Sequence, residues 1–350
     1  MQDFDKKILT ISSVYDPPKG GISQIVYNYK KSVFDTFYFV PADKAERSMS
    51  SYTLAVLCPI RMLWQFIIHP SIKIVHIHTC SYKPFHHASF RARFAKLFGK
   101  KVVMHMHGGG FKDYYKQDEA FIKNQLSKID GVIALSQSWK EFYSDIIGAK
   151  NVYVIPNVIP EPRIFEKENN EVFNLLYLGH IYKAKGIFDL VEMINEHHNE
   201  YVGKLMLHIG GGMYEEEKMK QYISDHNLKD VITMHGWVVG DEKARLLSNA
   251  DAFILPSYTE GQPVSIIEAM SYGLPILSTN VGGIPEMIEA NVNGFLFEPG
   301  DKETMATSIN KLITDHELRE SLSQKSKELS MGYLPAAVRF KLHEFYNAIL

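Results

Sequence analysis

Residues 252–270 read AFILPSYTEGQPVSIIEAM. Ala252 to Leu255 form a short apolar run that fits a buried strand, and Pro256 to Gln262 are turn residues. Pro263 suits the first position of a helix, so Gly261 and Gln262 make the turn and the helix continues through Met270. The first N–H groups of that helix, at Val264 and Ser265, have no carbonyl partner within it and offer a ready phosphate site. Strand, tight turn and helix in this order are half of a unit that builds parallel sheets.

The same alternation extends in both directions. Towards the N-terminus the expected strands are Ile8–Val14, Thr36–Val40, Ile72–Ile77, Val102–Met106, Val132–Leu135 and Val152–Ile155. In the second half they are Phe173–Leu178, Lys204–Ile209, Val231–Met234, Ala252–Leu255, Pro275–Ser278 and Gly294–Phe297. Helical periodicity separates them, as in Phe188–His197, Glu217–Asp225 and Thr304–Ile313. The fold class is therefore α/β, with two doubly wound Rossmann-like domains facing across a cleft. Pro156, Pro160 and Pro162, followed by a charged, Asn-rich stretch, mark the linker between them. The expected domains are 1–163 and 164–332, with a helix over 333–350 packing back across them. Ligands of such sheets bind beyond the carboxyl ends of the strands, so the cleft is the expected active site.

Composition narrows the function. The chain has 350 residues, 45% of them apolar and 22% charged, and a formal net charge of −2. That small number averages two unlike halves: residues 1–165 hold 22 Lys/Arg against 13 Asp/Glu, and residues 166–350 hold 16 against 27. No acid lies between Glu46 and Asp113, an interval with ten Lys/Arg and seven His. It includes the apolar stretch Leu54–Ile68, read as a helix of about fifteen residues broken by Pro59, Arg61 and Gln65 and too short to span a bilayer. The basic-aromatic run Phe90–Lys101 lies in the same interval. An anionic bilayer surface is one partner this implies, a solvated helix beside a core helix being the plainer reading. No nucleic-acid module accompanies the charge, so nucleic acid is excluded as a partner. Two cysteines are too few for a disulfide framework, and MQDFDKKILTI has no signal-peptide pattern, so a cytoplasmic protein is expected.

Three further motifs stand just after strands. Gly20-Gly21 follows the first strand and lets backbone approach a ligand, although a plain strand-to-helix turn also favours glycine. His105-Met106-His107-Gly108-Gly109-Gly110 follows the fourth. It has no Gly-x-Ser-x-Gly partner for a lipase, and its dinucleotide fingerprint fails at Asp113. His76, His78, His105 and His107 pair by alternation on one face, but no Cys or carboxylate cluster accompanies them, so no metal is expected. His107, at the strand end, is the one expected in the cleft. In LGHIYKAKG (178–186), Lys185 precedes a helix start, a poor place for a cation unless an anion sits between. A second glycine run at 210–212 fails as a dinucleotide fingerprint at Glu215, which argues against hydride transfer. Glu260 and Glu268, eight residues apart, can flank one elongated ligand. Glu268 in an apolar helix needs polar partners, such as ribose hydroxyls.

This ordered set resembles the retaining GT-B glycosyltransferases of the Glu-x7-Glu family (glycosyltransferase family 4, glycosyl transferases group 1). The resemblance covers nearly the whole chain. It rests on EGQPVSIIEAMSYGLPIL, supported by Gly20-Gly21, VVMHMHG, VIPNV, LGH with Lys185-Gly186, VGGIPEMI and NGFLFEPGD. It implies metal-independent transfer of a hexose-type sugar from a UDP- or GDP-linked donor, without other cofactor. The acceptor would be a glycan or lipid-linked molecule of bacterial surface polysaccharide synthesis. Such enzymes work in the cytoplasm or peripherally on the inner face of the membrane.

In catalysis the resemblance assigns Glu260 to the sugar hydroxyls, Lys185 to the diphosphate and His107 to the donor sugar. It assigns Glu268 to the ribose and the Gly20-Gly21 loop, Val264 and Ser265 to the diphosphate, and places His180, Gly261 and Pro263 among the substrate-binding residues. Two positions depart from the family pattern: His180 stands where an arginine is usual, and Pro263 where a glycine is usual. A catalytically weak nucleotide-sugar binder, a GT-B epimerase and a phosphorylase are the competing readings.

Overall fold

The computed structural model describes residues 2–18, 20–43, 49–168 and 171–350. Lys19 of the first glycine loop, Glu46 and Arg47 where the acid-free interval opens, and Asn169 and Asn170 of the linker lie outside the described residues. The chain forms two compact units, one of Met1–Pro160 with Tyr333–Leu350 and one of Glu161–Gly332.

The first unit is built on a parallel sheet of β1 (Ile8–Ser12), β2 (Tyr38–Pro41), β3 (Ile74–Thr79), β4 (Lys101–Met106), β5 (Gly131–Ala134) and β6 (Val152–Val154). Their order is β2-β1-β3-β4-β5-β6. Every residue of β1, β3 and β5 is buried, as expected of a sheet covered on both faces. Pro41 ends β2 on the sheet edge, where its missing N–H removes no ladder bond.

The helix Met49–Ile68 is longer than the sequence implies, running twenty residues straight through Pro59. The ring costs one backbone bond. Burial of Cys58, Met62 and Phe66, one turn apart on a single side, holds the helix against the core regardless.

The helix Pro335–Ile349 belongs to this first unit. It buries Val338, Leu342, Phe345, Tyr346 and Ile349. Arg339 pairs with Asp35 at 2.8 Å and with the buried Asp5 at 3.2 Å. At Gly131 a Cβ would stand 2.7 Å from the Phe345 ring, so this glycine leaves the helix room to seat.

The second unit has β7 (Phe173–Leu178), β8 (Leu205–Gly210), β9 (Ile232–Gly236), β10 (Ala252–Leu255), β11 (Ile276–Thr279) and β12 (Gly294–Phe297). All pairings are parallel, in the order β12-β11-β10-β7-β8-β9. All twelve expected strands form. The two units are thus α/β and doubly wound, with the strand order of the second reversing between β7 and β10.

Candidate active site

In the second unit, the loops after β7 and β10 flank the point where strand order reverses, which is where such sheets bind ligands. Backbone bonds tie these two loops to each other and to the loop after β11. Tyr258 N donates to Ala184 O at 2.9 Å, and Gly283 N donates to Gly261 O at 2.8 Å. Two glycines make the approach possible. Gly186 (φ +65°) lies so close to the next loop that a Cβ would stand 1.9 Å from Pro256 O. Gly282 (φ +57°) would place one 1.8 Å from Glu260 O. The glycine of the VGGIPEMI segment therefore clamps the backbone of Glu260 itself.

Both glutamate side chains are nearly buried, at 10% exposure for Glu260 and 12% for Glu268, and each meets a lysine. Lys185 Nζ donates to Glu260 Oε1 at 2.5 Å, and Ser257 Oγ donates to the same oxygen at 2.8 Å. Lys243 Nζ donates to Glu268 Oε1 at 2.6 Å. Burying either carboxylate alone would be costly, and the lysine offsets that cost in each case. Lys185, Glu260 and Ser257 are thus brought together. Lys243 escapes the sequence reading: it is the fourth residue of the helix Gly240–Asn249, where Asp241 and Glu242 already offset a cation beside the helix start, so nothing local marks it.

The helix after β10 spans Val264–Ser271. Pro263 caps it from outside with φ −69° and ψ 121°, one place earlier than the sequence reading puts it. Gly261 and Pro263 are buried, whereas Val264 and Ser265, in the first turn, are partly exposed. Their N–H groups point back along the axis toward the loop.

His180 does not reproduce an arginine. Its ring stacks on Trp237 (centroids 5.0 Å apart, planes at 17°) and meets the edge of Tyr214 at 5.5 Å. Its Nδ1 is buried without a hydrogen-bond partner among the described residues. Burial, and then the charge of Lys185, hold its pKa below the ordinary imidazole value. At neutral pH this side chain is an uncharged ring between aromatic neighbours.

The remaining expected residues lie in the first unit. Gly20 precedes the helix Gly21–Asn28. A Cβ at Gly20 or Gly21 would meet no protein atom within 4 Å, so packing does not demand glycine there. His107 is buried at the end of β4 in a column of four histidines. Its Nε2 lies 2.9 Å from His78 Nδ1, and the two rings stack at 7°. His76 Nε2 lies 3.3 Å from His105 Nδ1, and Tyr346 Oη lies 2.6 Å from His76 Nδ1.

Ligand nitrogens of His76, His78 and His105 fall within 4.8 Å of one another. No carboxylate lies in that cluster of the described residues; the contacts above pair some of the ring nitrogens, whereas His78 Nε2, His105 Nε2 and His107 Nδ1 are buried without a hydrogen-bond partner among the described residues. Burial lowers the pKa of His76 and of His107 to about 3, and those of His78 and His105 well below the usual value. All four are neutral near pH 7.

Known proteins point the same way. Residues 159–329 match the family model described as glycosyl transferases group 1, and residues 35–162 match glycosyltransferase family 4. An uncharacterized glycosyltransferase of Haemophilus influenzae is 27% identical over 212 residues, 59% of this chain and 58% of that protein. A putative colanic acid biosynthesis glycosyltransferase, WcaL of Salmonella typhimurium, is 30% identical over 161 residues, 44% of this chain and 39% of its own length. The matched stretch thus covers less than two thirds of either relative. Among solved structures, Anabaena HepE in complex with UDP superposes with a TM-score of 0.76 at 17% identity, over 98% of this chain and 100% of that one.

Proposed function

The chain belongs to glycosyltransferase family 4, with the GT-B fold, and we propose that it transfers a hexose-type sugar from a nucleoside diphosphate donor with retention of configuration. The observation that carries this reading is the pair of nearly buried carboxylates, Glu260 and Glu268. Each is held by a lysine, on loop and helix beside the reversal of strand order. In this reading Glu268 holds the donor ribose and Glu260 the hydroxyls of the sugar. The N–H groups of Val264 and Ser265, with Lys185, take the diphosphate. Gly20, Gly21 and His107 of the first unit also serve the donor, and that unit carries the acceptor.

In the reaction, the bond from the anomeric carbon to the diphosphate oxygen breaks as the acceptor oxygen bonds to the same face. The acceptor proton passes to the leaving phosphate. Negative charge grows on the diphosphate, so a lysine and fixed N–H dipoles beside it act most strongly in the transition state. This chemistry needs no metal. In the resting protein Glu260 neutralises Lys185; the arriving donor competes for that cation while its sugar hydroxyls satisfy the carboxylate.

UDP in the HepE complex supports a uridine donor, and the WcaL relative supports an acceptor in surface polysaccharide synthesis. Nucleotide sugars are cytoplasmic metabolites, so the reaction belongs in the cytoplasm. The uncharged His180, where the family has a fixed cation, favours a second reading as a catalytically weak nucleotide-sugar binder.

One experiment separates the two. Sugar nucleotides are screened by thermal shift, and the stabilising donor is then followed for transfer and hydrolysis. Turnover that falls by orders of magnitude in Lys185→Ala and Glu268→Ala, with both variants folded, supports the enzyme. Stabilisation without turnover leaves the binder. No stabilisation by any donor removes both.

A further inference from the structure

Unit one carries an apolar surface that the transfer reaction does not use. On the helix Met49–Ile68, the side opposite Cys58, Met62 and Phe66 exposes Val56, Ile60, Trp64 and Ile67, at 73%, 64%, 60% and 63%. These positions recur every three or four residues and make one continuous stripe. Side chains this large, lined up in water, mark an interaction surface. No helix among the described residues is long and apolar enough to cross a membrane.

The helix Lys83–Leu97 packs beside it, with Phe66 and Phe98 in ring contact at 5.8 Å. This second helix also exposes apolar side chains, Phe90 at 55% and Leu97 at 82%. Phe90, Phe94, Leu97 and Ile129 line a groove of about 860 Å³ whose rim bears Arg93, Lys96 and Lys128. Lys96 is paired with Asp130 at 2.8 Å. Among the described residues Arg93 and Lys128 have no carboxylate partner. Neither helix contains an Asp or Glu.

Exposed apolar residues with a tryptophan among them, Arg93 and Lys128 at their border and no acid in either helix are the chemistry of a surface that lies in an anionic lipid interface. A protein partner or a second copy would also cover apolar side chains, but the one-sided charge is complementary to a polyanionic plane and repels its own copy. We propose that the first unit docks on an anionic phospholipid bilayer, with Val56, Ile60, Trp64 and Ile67 seated among the acyl chains and Arg93 and Lys128 at the headgroups. This goes beyond the donor site and does not depend on it.

The test uses the full chain without donor or acceptor. Sedimentation with vesicles of phosphatidylcholine alone is compared with vesicles containing about a third phosphatidylglycerol. The expected result is at least about tenfold greater partitioning onto the anionic vesicles at low salt, lost at about 0.5 M salt. Trp64 emission should shift to the blue on binding and be quenched by brominated acyl chains. Trp64→Ser with Ile60→Ser should abolish partitioning while the circular dichroism and thermal midpoint stay unchanged, and Arg93→Gln with Lys128→Gln should weaken it.

Absence of partitioning at low salt overturns the proposal. So does partitioning that ignores lipid charge. Concentration-dependent dimerisation, abolished by Trp64→Ser and unaccompanied by vesicle binding, assigns the stripe to a second copy and overturns it as well. Loss of sugar transfer has no bearing on any of these readouts, so the two proposals fail independently.

Discussion

Lys243 Nζ lies 2.6 Å from Glu268 Oε1, joining the helix after β9 to the helix after β10. The lysine side chain is 23% exposed and the carboxylate 12%, so water screens the pair only in part. Lys243→Met leaves a nearly buried carboxylate without its cation and should destabilise the protein by about 1–3 kcal/mol. Combined with Glu268→Gln, the loss should fall short of the sum of the two single losses by about 0.5–3 kcal/mol. Urea denaturation of the four proteins checks this. Additive losses would mean that the bond contributes nothing to stability.

Two kinds of glycine should respond oppositely to alanine. At Gly186 the new methyl would meet Pro256 O at 1.9 Å with φ at +65°, so Gly186→Ala should cost about 1–3 kcal/mol. At Gly21 no protein atom lies within 4 Å, so Gly21→Ala should leave stability within about 0.5 kcal/mol. If the donor approaches that backbone, Gly21→Ala should nonetheless weaken donor binding about tenfold. Thermal denaturation and donor titration of both variants measure the contrast.

His180 gives a sign to the pH profile. Burial lowers its pKa, so any cationic role is confined to the acid side of the ordinary imidazole range. If that cation assists the leaving diphosphate, kcat/KM should fall as pH rises through a value below 6.5. His180→Arg should remove the fall and raise activity at neutral pH. A wild-type profile already flat from acid to neutral pH, and unchanged in His180→Arg, would show the ring to be merely packed against Trp237.

The histidine column predicts acid sensitivity. His76 and His107 take up protons near pH 3 when folded but near 6.5 when unfolded, so between these values the unfolded chain binds more protons. Their contribution is complete above about pH 6.5 and is lost as pH falls. Each loses about 1.4 kcal/mol per pH unit below the unfolded value. Chemical denaturation at neutral pH and near pH 5 should show this loss, and His76→Asn should reduce the slope. A midpoint independent of pH across that range would contradict the burial of these rings.

Much of this was readable from local pattern. Strands with every residue buried leave runs of apolar residues, so β7 and β10 stand out without any knowledge of their neighbours. Glu260 and Glu268 were legible because charge in an apolar context demands a partner. The partner itself was harder: Lys243 is 25 residues before Glu268, and only folding brings them together. Gly282 likewise gave no sign that it would press on Glu260. Pro59 misled because a local rule about helix interruption was outweighed by three buried side chains spaced one turn apart. For His107, alternation correctly put it on one face with its neighbours, but not the contact with His78 that fills one of its ring nitrogens.

The C-terminal helix has a consequence for biosynthesis. Tyr346 bonds to His76 across 270 residues, and Arg339 neutralises the buried Asp5. Residues 161–332 are continuous, so they can close their core without help from residues 333–350. The half of the protein made first must wait for the last helix to emerge before its own histidine column and Asp5 are covered. Until then it is the open half, and a released chain truncated just before Pro335 should leave it the more protease-sensitive of the two.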